Sequence, residues 1–341
     1  MTKECCTEKS LPMTYPPITL YPYIANKLSV LMSYKETLPW YYSNFIQMWT
    51  RKIEPSTYWF DFLYARMRGF CPSYKISLFS KKIIQYKWNS IVDFIIDVID
   101  LGFYVYMNID TFYISAGGNY NEHHYRHDIF VYGYDKDKKM LNVADFYNAG
   151  KYAYSFAGFD EFELAYTNYY KTNQYDFYEG IFVETFESTN YNFDIKKIAN
   201  TVNDFLLSRN TTIVSDYEMF DDKENTVYGI QVYDVFSEYL NRLSKRTIEG
   251  IDVRPFHMLF DHKVAMLQRL KYLGDSNYLD NTEYISDLYT LLRNECHMIR
   301  NMILKSRYTN DTKIYTEAIK KLAIISNTEK KALNALLDSL R

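Results

Sequence analysis

The pattern of hydrophobic and polar positions is clearest in residues 101–145, where the two alternate between clusters of Gly, Asn and Asp. Such alternation, bounded by turn residues, is typical of antiparallel strands joined by short connections. It predicts three consecutive strands, Phe103–Ile109, His127–Tyr134 and Met140–Ala144. His127 begins the middle strand, and Asp145 directly follows the third. We therefore expect these two side chains to face each other across neighbouring strands.

Apolar residues spaced three and four apart flank this region and indicate amphipathic helices. The predicted helices are Tyr23–Ser33, Trp40–Trp49, Thr57–Met67, Ile91–Ile99 and Phe159–Tyr170, and a further strand is predicted at Tyr178–Phe186. Two interpretations are open at Cys71. It could cap a helix over Pro72–Lys87, because Pro is favoured at the first helical position. Alternatively, it precedes a strand over Tyr74–Phe79, which also alternates.

Beyond residue 187 the pattern changes to long amphipathic helices. They are predicted at Asp194–Ser208, Thr226–Arg246, Pro255–Leu273, Asn281–Ser306 and Asp311–Leu340. The fold class is therefore α+β, with helices on a small antiparallel sheet followed by an α-helical domain. We predict a flexible tail over residues 1–12, an α+β domain over 13–187 and a helical domain over 188–341.

Composition narrows the classes of function. The chain has 341 residues and a net charge of −3, so no basic surface points to nucleic acid. No apolar run reaches the roughly 20 residues that span a bilayer, and no secretory signal precedes the first helix, so we expect a cytoplasmic protein without membrane contact. Four cysteines without a CxxC pair argue against a disulfide framework and a structural zinc site.

The remaining histidines and cysteines have structural interpretations. His123 and His124 lie in a polar loop, where we expect them to face solvent. Together with His127 they could bind a metal such as zinc, but the spacing is weak evidence, and we predict no metal and no cofactor. His127 could also pair with Asp145 for structural reasons alone. We assign Asp261, His262 and Lys263 to a solvated helix surface, and place Cys296 and His297 in an amphipathic helix with one of the two packed in its core.

The central strand region resembles a known family. The segment HHYRHDIFVYGYD, followed ten residues later by Asp145, resembles the His-strand and Asp-strand of papain-like cysteine enzymes. More narrowly, residues 91–145 resemble the butirosin biosynthesis protein H N-terminal-like family. They share a helix that leads into a strand ending in Asp, a loop, a His-led strand ending in GYD, and another strand ending in Asp. The similarity extends loosely over residues 15–190.

The resemblance implies a papain-like domain over residues 13–187 and a role in natural-product biosynthesis of the nonribosomal peptide type. Family members transfer an acyl group from a carrier-protein thioester to a Cys and then to an amine. In this chain His127 matches the general base, and Asp145 matches the residue that orients it. The implied partners are an acyl or peptidyl carrier protein and a small-molecule amine acceptor. Whether the protein forms a homo-oligomer is left open.

The sequence departs from the family at the nucleophile. The family Cys is expected near Tyr21–Tyr23, at the start of the first core helix, and no Cys is present there. In one interpretation the nucleophile is lost, and the protein is an inactive pseudoenzyme with a binding or accessory role. In the other, Cys71 supplies the thiol from a helix N-terminus, where the dipole favours a thiolate. Cys5 and Cys6, in the predicted tail, are a third source.

Overall fold

The computed structural model describes residues 6–54, 57–63, 71–172, 180–211, 225–280, 282–309 and 311–340. The chain forms two compact units. The first comprises residues 1–37 and 67–190, and the second comprises residues 38–66 and 191–341. Residues 38–66, which the sequence analysis placed in the N-terminal domain, therefore belong to the second unit.

The described elements are a mixture of strands and helices, with the longest helices near the C-terminus. The strands are β1 (Glu8–Ser10), β2 (Met48–Glu54), β3 (Thr57–Phe62), β4 (Tyr74–Ser80), β5 (Tyr104–Asp110), β6 (Arg126–Asp135), β7 (Met140–Asp145), β8 (Ala153–Gly158), β9 (Gly180–Phe186) and β10 (Thr226–Tyr228). The helices are α1 (Pro22–Leu31), α2 (Leu38–Ser43), α3 (Lys81–Lys87), α4 (Ile91–Asp100), α5 (Tyr147–Gly150), α6 (Phe159–Thr167), α7 (Ile195–Leu206), α8 (Val232–Ser244), α9 (Arg254–Asp275), α10 (Glu283–Ser306) and α11 (Lys313–Ser339).

The first unit is organised around a seven-stranded antiparallel sheet. Its strand order is β4-β9-β5-β6-β7-β8, and β1 pairs with the part of β6 that β5 does not reach. The three strands predicted around His127 are confirmed as β5, β6 and β7, and they are consecutive neighbours in the sheet. All residues of β5 are buried, so the sheet is covered on both faces at its centre.

Helix α4 delivers the chain into β5, as the apolar pattern of Ile91–Ile99 predicts. The Ser90 hydroxyl accepts a hydrogen bond from the Asp93 N–H at 3.0 Å and caps the first turn. The helix ends at Asp100, and Gly102, two residues later, has φ +87°. Glycine adopts this conformation without the steric cost that a Cβ brings, so the chain can reverse and enter the strand directly.

Two predictions for the first unit are wrong. Residues 72–87 do not form one helix: β4 and then α3 occupy this stretch, which confirms the alternative strand over Tyr74–Phe79. Residues 8–11 are not a flexible tail. The strand β1 pairs with β6, and the N–H of the buried Leu11 donates to the Tyr132 carbonyl oxygen at 2.8 Å. The sequence gives no sign of this pairing because its partner strand lies more than a hundred residues away.

The second unit combines long helices with a small antiparallel sheet of order β10-β2-β3. Helix α2 ends at Ser43 and β2 begins at Met48, so the predicted single helix over Trp40–Trp49 is wrong. The predicted helix over Thr57–Met67 is the strand β3 as far as Phe62, and residues 64–67 lie outside the described chain. Aromatic residues are common in buried helices and in buried strands, so their pattern alone does not distinguish the two. Here the pairing of β2 with the distant strand β10 favours the strand. The predicted C-terminal helices correspond to α7–α11, although α8 begins only at Val232, after β10.

The predicted solvated helix surface at Asp261, His262 and Lys263 is instead buried. The Lys263 ammonium donates to Glu329 Oε1 at 2.5 Å and to His262 Nδ1 at 2.9 Å. His262 Nε2 in turn donates to the Ile46 carbonyl oxygen at 2.9 Å, and the Tyr233 hydroxyl donates to Glu329 Oε2 at 2.5 Å. A charged pair tolerates full burial when its remaining donors and acceptors are satisfied in this way.

We expect Gly133→Ala to destabilise the first unit by about 1–3 kcal/mol, the usual cost of forcing atoms into a packed site. A Cβ at Gly133 would lie 2.5 Å from the Lys9 carbonyl oxygen and would push β1 away from β6. Urea unfolding measures the loss of stability, and amide hydrogen exchange of residues 8–11 measures the release of β1. Gly158→Ala is the control, since its Cβ would meet its nearest neighbour at 3.5 Å. Equal effects of the two substitutions would contradict the packing argument.

We expect Glu329→Gln to lower the free energy of unfolding by about 3–5 kcal/mol, because it leaves the buried Lys263 ammonium without its counter-charge. The matched control is Glu317→Gln on the same helix. Glu317 pairs with Lys320 at 2.8 Å, but both side chains are more than half exposed, so a change within about 0.5 kcal/mol is expected. Urea unfolding followed by circular dichroism compares the two variants. Similar losses of unfolding free energy would contradict the argument that burial makes the Lys263–Glu329 pair costly to break.

Candidate functional site

The register of the sheet brings His127 and Asp145 together. His127 lies opposite Ile109 on β5, and Phe130 lies opposite Ala144 on β7. Since neighbouring residues of a strand project to opposite faces, Asp145 and His127 both project from the face opposite to Phe130. His127 Nδ1 lies 2.8 Å from Asp145 Oδ2, a hydrogen-bonding distance. The contact expected between these two residues is therefore present.

The surroundings of His127 favour its protonated form. Nδ1 lies between two acceptors, Asp145 Oδ2 and the Asp128 carbonyl oxygen at 3.0 Å, so this nitrogen carries a proton. Burial lowers the pKa of the imidazole, but the hydrogen bond and negative charge of Asp145, with help from Asp128, prevail and raise the pKa to about 9. His127 is therefore an imidazolium at neutral pH, paired with a carboxylate that is only 6% exposed.

A cavity of about 210 Å³ opens beside this pair. Strand residues, the loop after β5 and the start of α5 line it: Ile109, Ile114, Asn119, Ile129, Phe146 and Tyr147 contribute together with His127 and Asp145. The lining is mixed: the side chains of Ile109, Ile114, Ile129 and Phe146 are apolar, and Thr111, Asn119 and Tyr125 add polar groups to those of His127, Asp145 and Tyr147. This combination is typical of sites that bind a small ligand and fix its orientation.

Two polar atoms of the lining are buried and without a partner among the described residues. They are the second carboxylate oxygen of Asp145, Oδ1, and the hydroxyl of Tyr147. Burial and the nearby Asp145 charge raise the pKa of Tyr147 well above its ordinary value, so the hydroxyl keeps its proton. His127 Nε2 also makes no hydrogen bond within the described chain. The two oxygens are inaccessible to water, whereas the His127 side chain is 31% exposed, so the imidazole is the member of this set that a further molecule can reach.

A second His–Asp contact holds the loop that walls the cavity. Asp110 Oδ2 lies 2.6 Å from His124 Nδ1, and Oδ1 accepts from the N–H groups of Phe112 and Tyr125 at 3.1 Å. The carboxylate of Asp110 thus joins the two ends of the loop over residues 111–125. His124 is exposed, as the sequence predicts, but its contact with Asp110 was not predicted. The signal in the sequence was the Asp that ends the strand β5.

The structure does not bring Cys71 to the His–Asp pair. The strands β9 and β5 lie between β4 and β6, and the sheet register aligns Ile76 with Glu184 and Tyr104, while His127 aligns with Ile109. Cys71 lies in the turn before β4 and is not among the residues that line the cavity beside His127.

The chemistry of Cys71 also differs from that of a nucleophile. The thiol is buried, and burial raises its pKa to about 11 despite the N–H of Ser73 and the charge of Lys27, which act in the opposite direction. A thiol with this pKa stays protonated at neutral pH and reacts slowly. Cys71 is not a helix N-cap, because the chain turns through a hydrogen bond from the Tyr74 N–H to the Cys71 carbonyl oxygen and enters a strand.

The other described cysteines do not line the cavity either. The Cys6 carbonyl oxygen accepts from Lys136, beside the end of β6 that is remote from His127. Cys296 is fully buried in α10, where burial raises its pKa to about 12. Cys5 lies outside the described residues. Helix α1, where the family resemblance places the nucleophile, contributes no residue to the described lining.

Known proteins give no guide to this site. No protein-family model matches the chain, and no curated protein matches it. In the described ranges, no group of three or more His, Cys, Asp or Glu side chains is arranged to hold a metal ion. Among the same residues no helix combines the length and the hydropathy that crossing a membrane requires. The geometry of the cavity is therefore the main guide to function.

The pair predicts a specific pH dependence. The folded-state pKa of His127 is about 9, above the ordinary 6.5, so the stabilisation by Asp145 is fully present below pH 6.5 and is lost as the pH rises through 9. We expect the free energy of unfolding to fall over this range, and Asp145→Asn to remove most of that fall and return the pKa towards 6.5. Histidine-ring NMR and urea unfolding at each pH measure the two quantities.

The control for this titration is Asp137→Asn in the exposed turn between β6 and β7. It removes the same charge from the chain without touching His127, so the pKa of His127 should stay near 9. An ordinary pKa of His127 in the unmodified protein would contradict the proposed charge pairing.

Proposed function

We propose that the protein is a papain-like pseudoenzyme, of the butirosin biosynthesis protein H N-terminal-like type, that serves as a binding or accessory protein. In this proposal its first unit keeps the His–Asp pair and uses the adjacent cavity to bind a ligand. The observation that carries the proposal is the cavity beside His127 and Asp145, whose described lining contains no cysteine.

The charge state of His127 supports a binding role. A general base must be unprotonated at the working pH, whereas the carboxylate of Asp145 keeps His127 protonated well above neutrality. In a Cys–His enzyme the imidazolium is matched by a thiolate, which then attacks the substrate. With no described thiol beside it, the imidazolium of this chain is left as a hydrogen-bond donor to whatever enters the cavity.

The expected acyl transfer through Cys71 has no support in this arrangement, because the Cys71 thiol does not line the cavity beside His127 and is held protonated. The partner class remains part of the proposal. An accessory protein in nonribosomal peptide-type biosynthesis would bind an acyl or peptidyl carrier protein, and that expectation rests on the family resemblance of residues 91–145.

The test is to incubate the protein with an acyl carrier protein that carries an acetyl thioester, and to measure the intact mass of the 40.8 kDa chain. We expect no acetyl adduct, because no described thiol is both activated and close to His127. Isothermal titration calorimetry with the same carrier protein should show binding in the micromolar range. Cys71→Ala should change neither result.

Two outcomes would overturn the proposal. One is an acetyl adduct that forms on a cysteine of the unmodified chain and is lost in His127→Ala, since it would demonstrate catalysis through the pair. The other is the absence of any carrier binding by calorimetry, which would remove the accessory role. An adduct that persists in His127→Ala would indicate only non-specific acetylation of an exposed thiol such as Cys6 and would leave the calorimetric result to decide.

A further inference from the structure

The strand β8 forms one edge of the seven-stranded sheet in the first unit. In the part of the chain that the structure describes, β7 is its one hydrogen-bonded neighbour, and the two strands pair antiparallel with Val143 opposite Ser155. Every second residue of an edge strand directs its N–H and C=O groups away from the sheet. Those groups can pair with a further strand.

The hydrogen bonds beside β8 show which of its residues face outward. The Phe159 N–H donates to the Lys139 carbonyl oxygen at 2.9 Å, which continues the ladder between β7 and β8. Hydrogen-bonded and non-hydrogen-bonded positions alternate in an antiparallel pair, so the odd-numbered residues of β8 bond to β7. The even-numbered residues Tyr154, Phe156 and Gly158 direct their main-chain groups outward.

Side chains close both ends of this outer edge. The Tyr15 hydroxyl donates to the Tyr152 carbonyl oxygen at 3.2 Å, and the Gly158 N–H donates to Glu161 Oε2 at 3.2 Å. The two outward-facing residues between these contacts have main-chain N–H and C=O groups without a hydrogen-bond partner among the described residues. The open part of the edge is therefore short and lies in the middle of β8.

The sequence of β8, AYSFAG, lacks the usual protection of an edge strand. Proteins commonly block sheet edges with charged residues, Pro or a bulge. The strand β4 at the opposite edge contains Lys75, and β1 contains Glu8 and Lys9. In contrast, β8 contains no charged residue and no Pro, and it pairs with β7 without a register shift. Its Tyr154 and Phe156 side chains are 36% and 57% exposed. Such an edge favours pairing with another strand.

Charge complementarity indicates that this strand comes from a second copy of the chain. Lys151 precedes β8, Asp160 follows it, and both are exposed. If two copies of β8 pair antiparallel with Ser155 on the two-fold axis, Lys151 of each copy lies next to Asp160 of the other. The same register places Tyr154 opposite Phe156 of the other copy, so that the outward N–H and C=O groups of both residues form hydrogen bonds.

We propose that the protein forms a homodimer in which two copies of β8 pair antiparallel and join the sheets of the two first units. This inference goes beyond the proposed function and does not depend on it. The open edge is short and the flanking ion pairs are exposed, so the association is weak, and we expect a Kd in the micromolar range.

The first test uses the unmodified full chain. Sedimentation equilibrium from micromolar to sub-millimolar concentration should show a mass that rises from 40.8 kDa towards twice that value. Residue-resolved amide hydrogen exchange is measured at the same concentrations. We expect exchange of the Tyr154 and Phe156 amides to slow as the dimer forms. The Ser155 amide, which bonds to β7, should be protected at every concentration.

A proline variant tests the main-chain pairing. Phe156→Pro removes an outward N–H and leaves the ladder with β7 intact, a position that tolerates Pro in an edge strand. We expect this variant to remain monomeric over the same concentrations. Phe156→Thr is the matched control, because it removes the same ring but keeps the N–H in a residue that favours strands, and it should still dimerise. A thermal melt checks that each variant is folded.

Charge reversal tests the identity of the partner. Lys151→Glu and Asp160→Lys each place like charges together at both ends of the paired strands, so each should weaken dimerisation about three- to tenfold. The double variant Lys151→Glu/Asp160→Lys exchanges the two charges and should restore the Kd of the unmodified chain. Lys82→Glu is the control, since Lys82 is exposed in α3, which follows the opposite edge strand β4, and its reversal should leave the Kd unchanged.

The inference is overturned if the unmodified chain stays monomeric at sub-millimolar concentration, if Phe156→Pro dimerises as tightly as the unmodified chain, or if the double charge variant associates no better than the single ones. Protection of the Tyr154 and Phe156 amides that appears only when an acyl carrier protein is added would also overturn it, because the edge would then bind a different chain. Carrier binding and the acetyl adduct test the proposed function separately.

Discussion

The antiparallel register of β5, β6 and β7 is the constraint on which the candidate site depends. It places Ile109 opposite His127 and Phe130 opposite Ala144, and thereby puts His127 and Asp145 on one face of the sheet. Because side chains alternate between faces, a slip of one residue would separate them. The register is held by the fully buried strand β5, whose apolar side chains could not turn to solvent without a large loss of buried surface.

From the sequence, only the locally determined parts of this arrangement could be predicted. Period-two alternation and turn residues sufficed for β5, β6 and β7, and therefore for the contact between His127 and Asp145, while the helical apolar pattern of Ile91–Ile99 indicated α4. The other residues of the site lie in segments whose sequence pattern predicts their structure less clearly. Tyr147 lies in a one-turn helix, and Asn119 lies in a loop, so neither has a periodic pattern. The role of Asp110 was visible only as a carboxylate that ends a strand.

The wrong predictions share a cause, which is that a distant partner decided the local structure. Residues 8–10 are a strand because they pair with β6 beside Gly133, and residues 48–54 and 57–62 are strands because β2 pairs with both β10 and β3. Cys71 was placed at a helix N-terminus because of the Pro that follows it. Its actual place before β4 depends on the pairing of β4 with β9, a strand more than a hundred residues later in the chain.

Three histidines of this chain show how burial and neighbouring charges together decide what each can do. Burial lowers the pKa of all three. At His262 the adjacent Lys263 ammonium acts in the same direction, and the ring stays neutral, accepting at Nδ1 and donating at Nε2. At His257 burial, together with the Arg300 guanidinium, lowers the pKa to about 4 although Asp261 lies 3.5 Å away. Of these three, only His127 has a carboxylate that outweighs burial, and its ring lines a cavity. A charged donor beside an accessible cavity has no structural purpose that a neutral, fully packed histidine would not serve at lower cost, so His127 is the histidine for which a ligand is the better explanation.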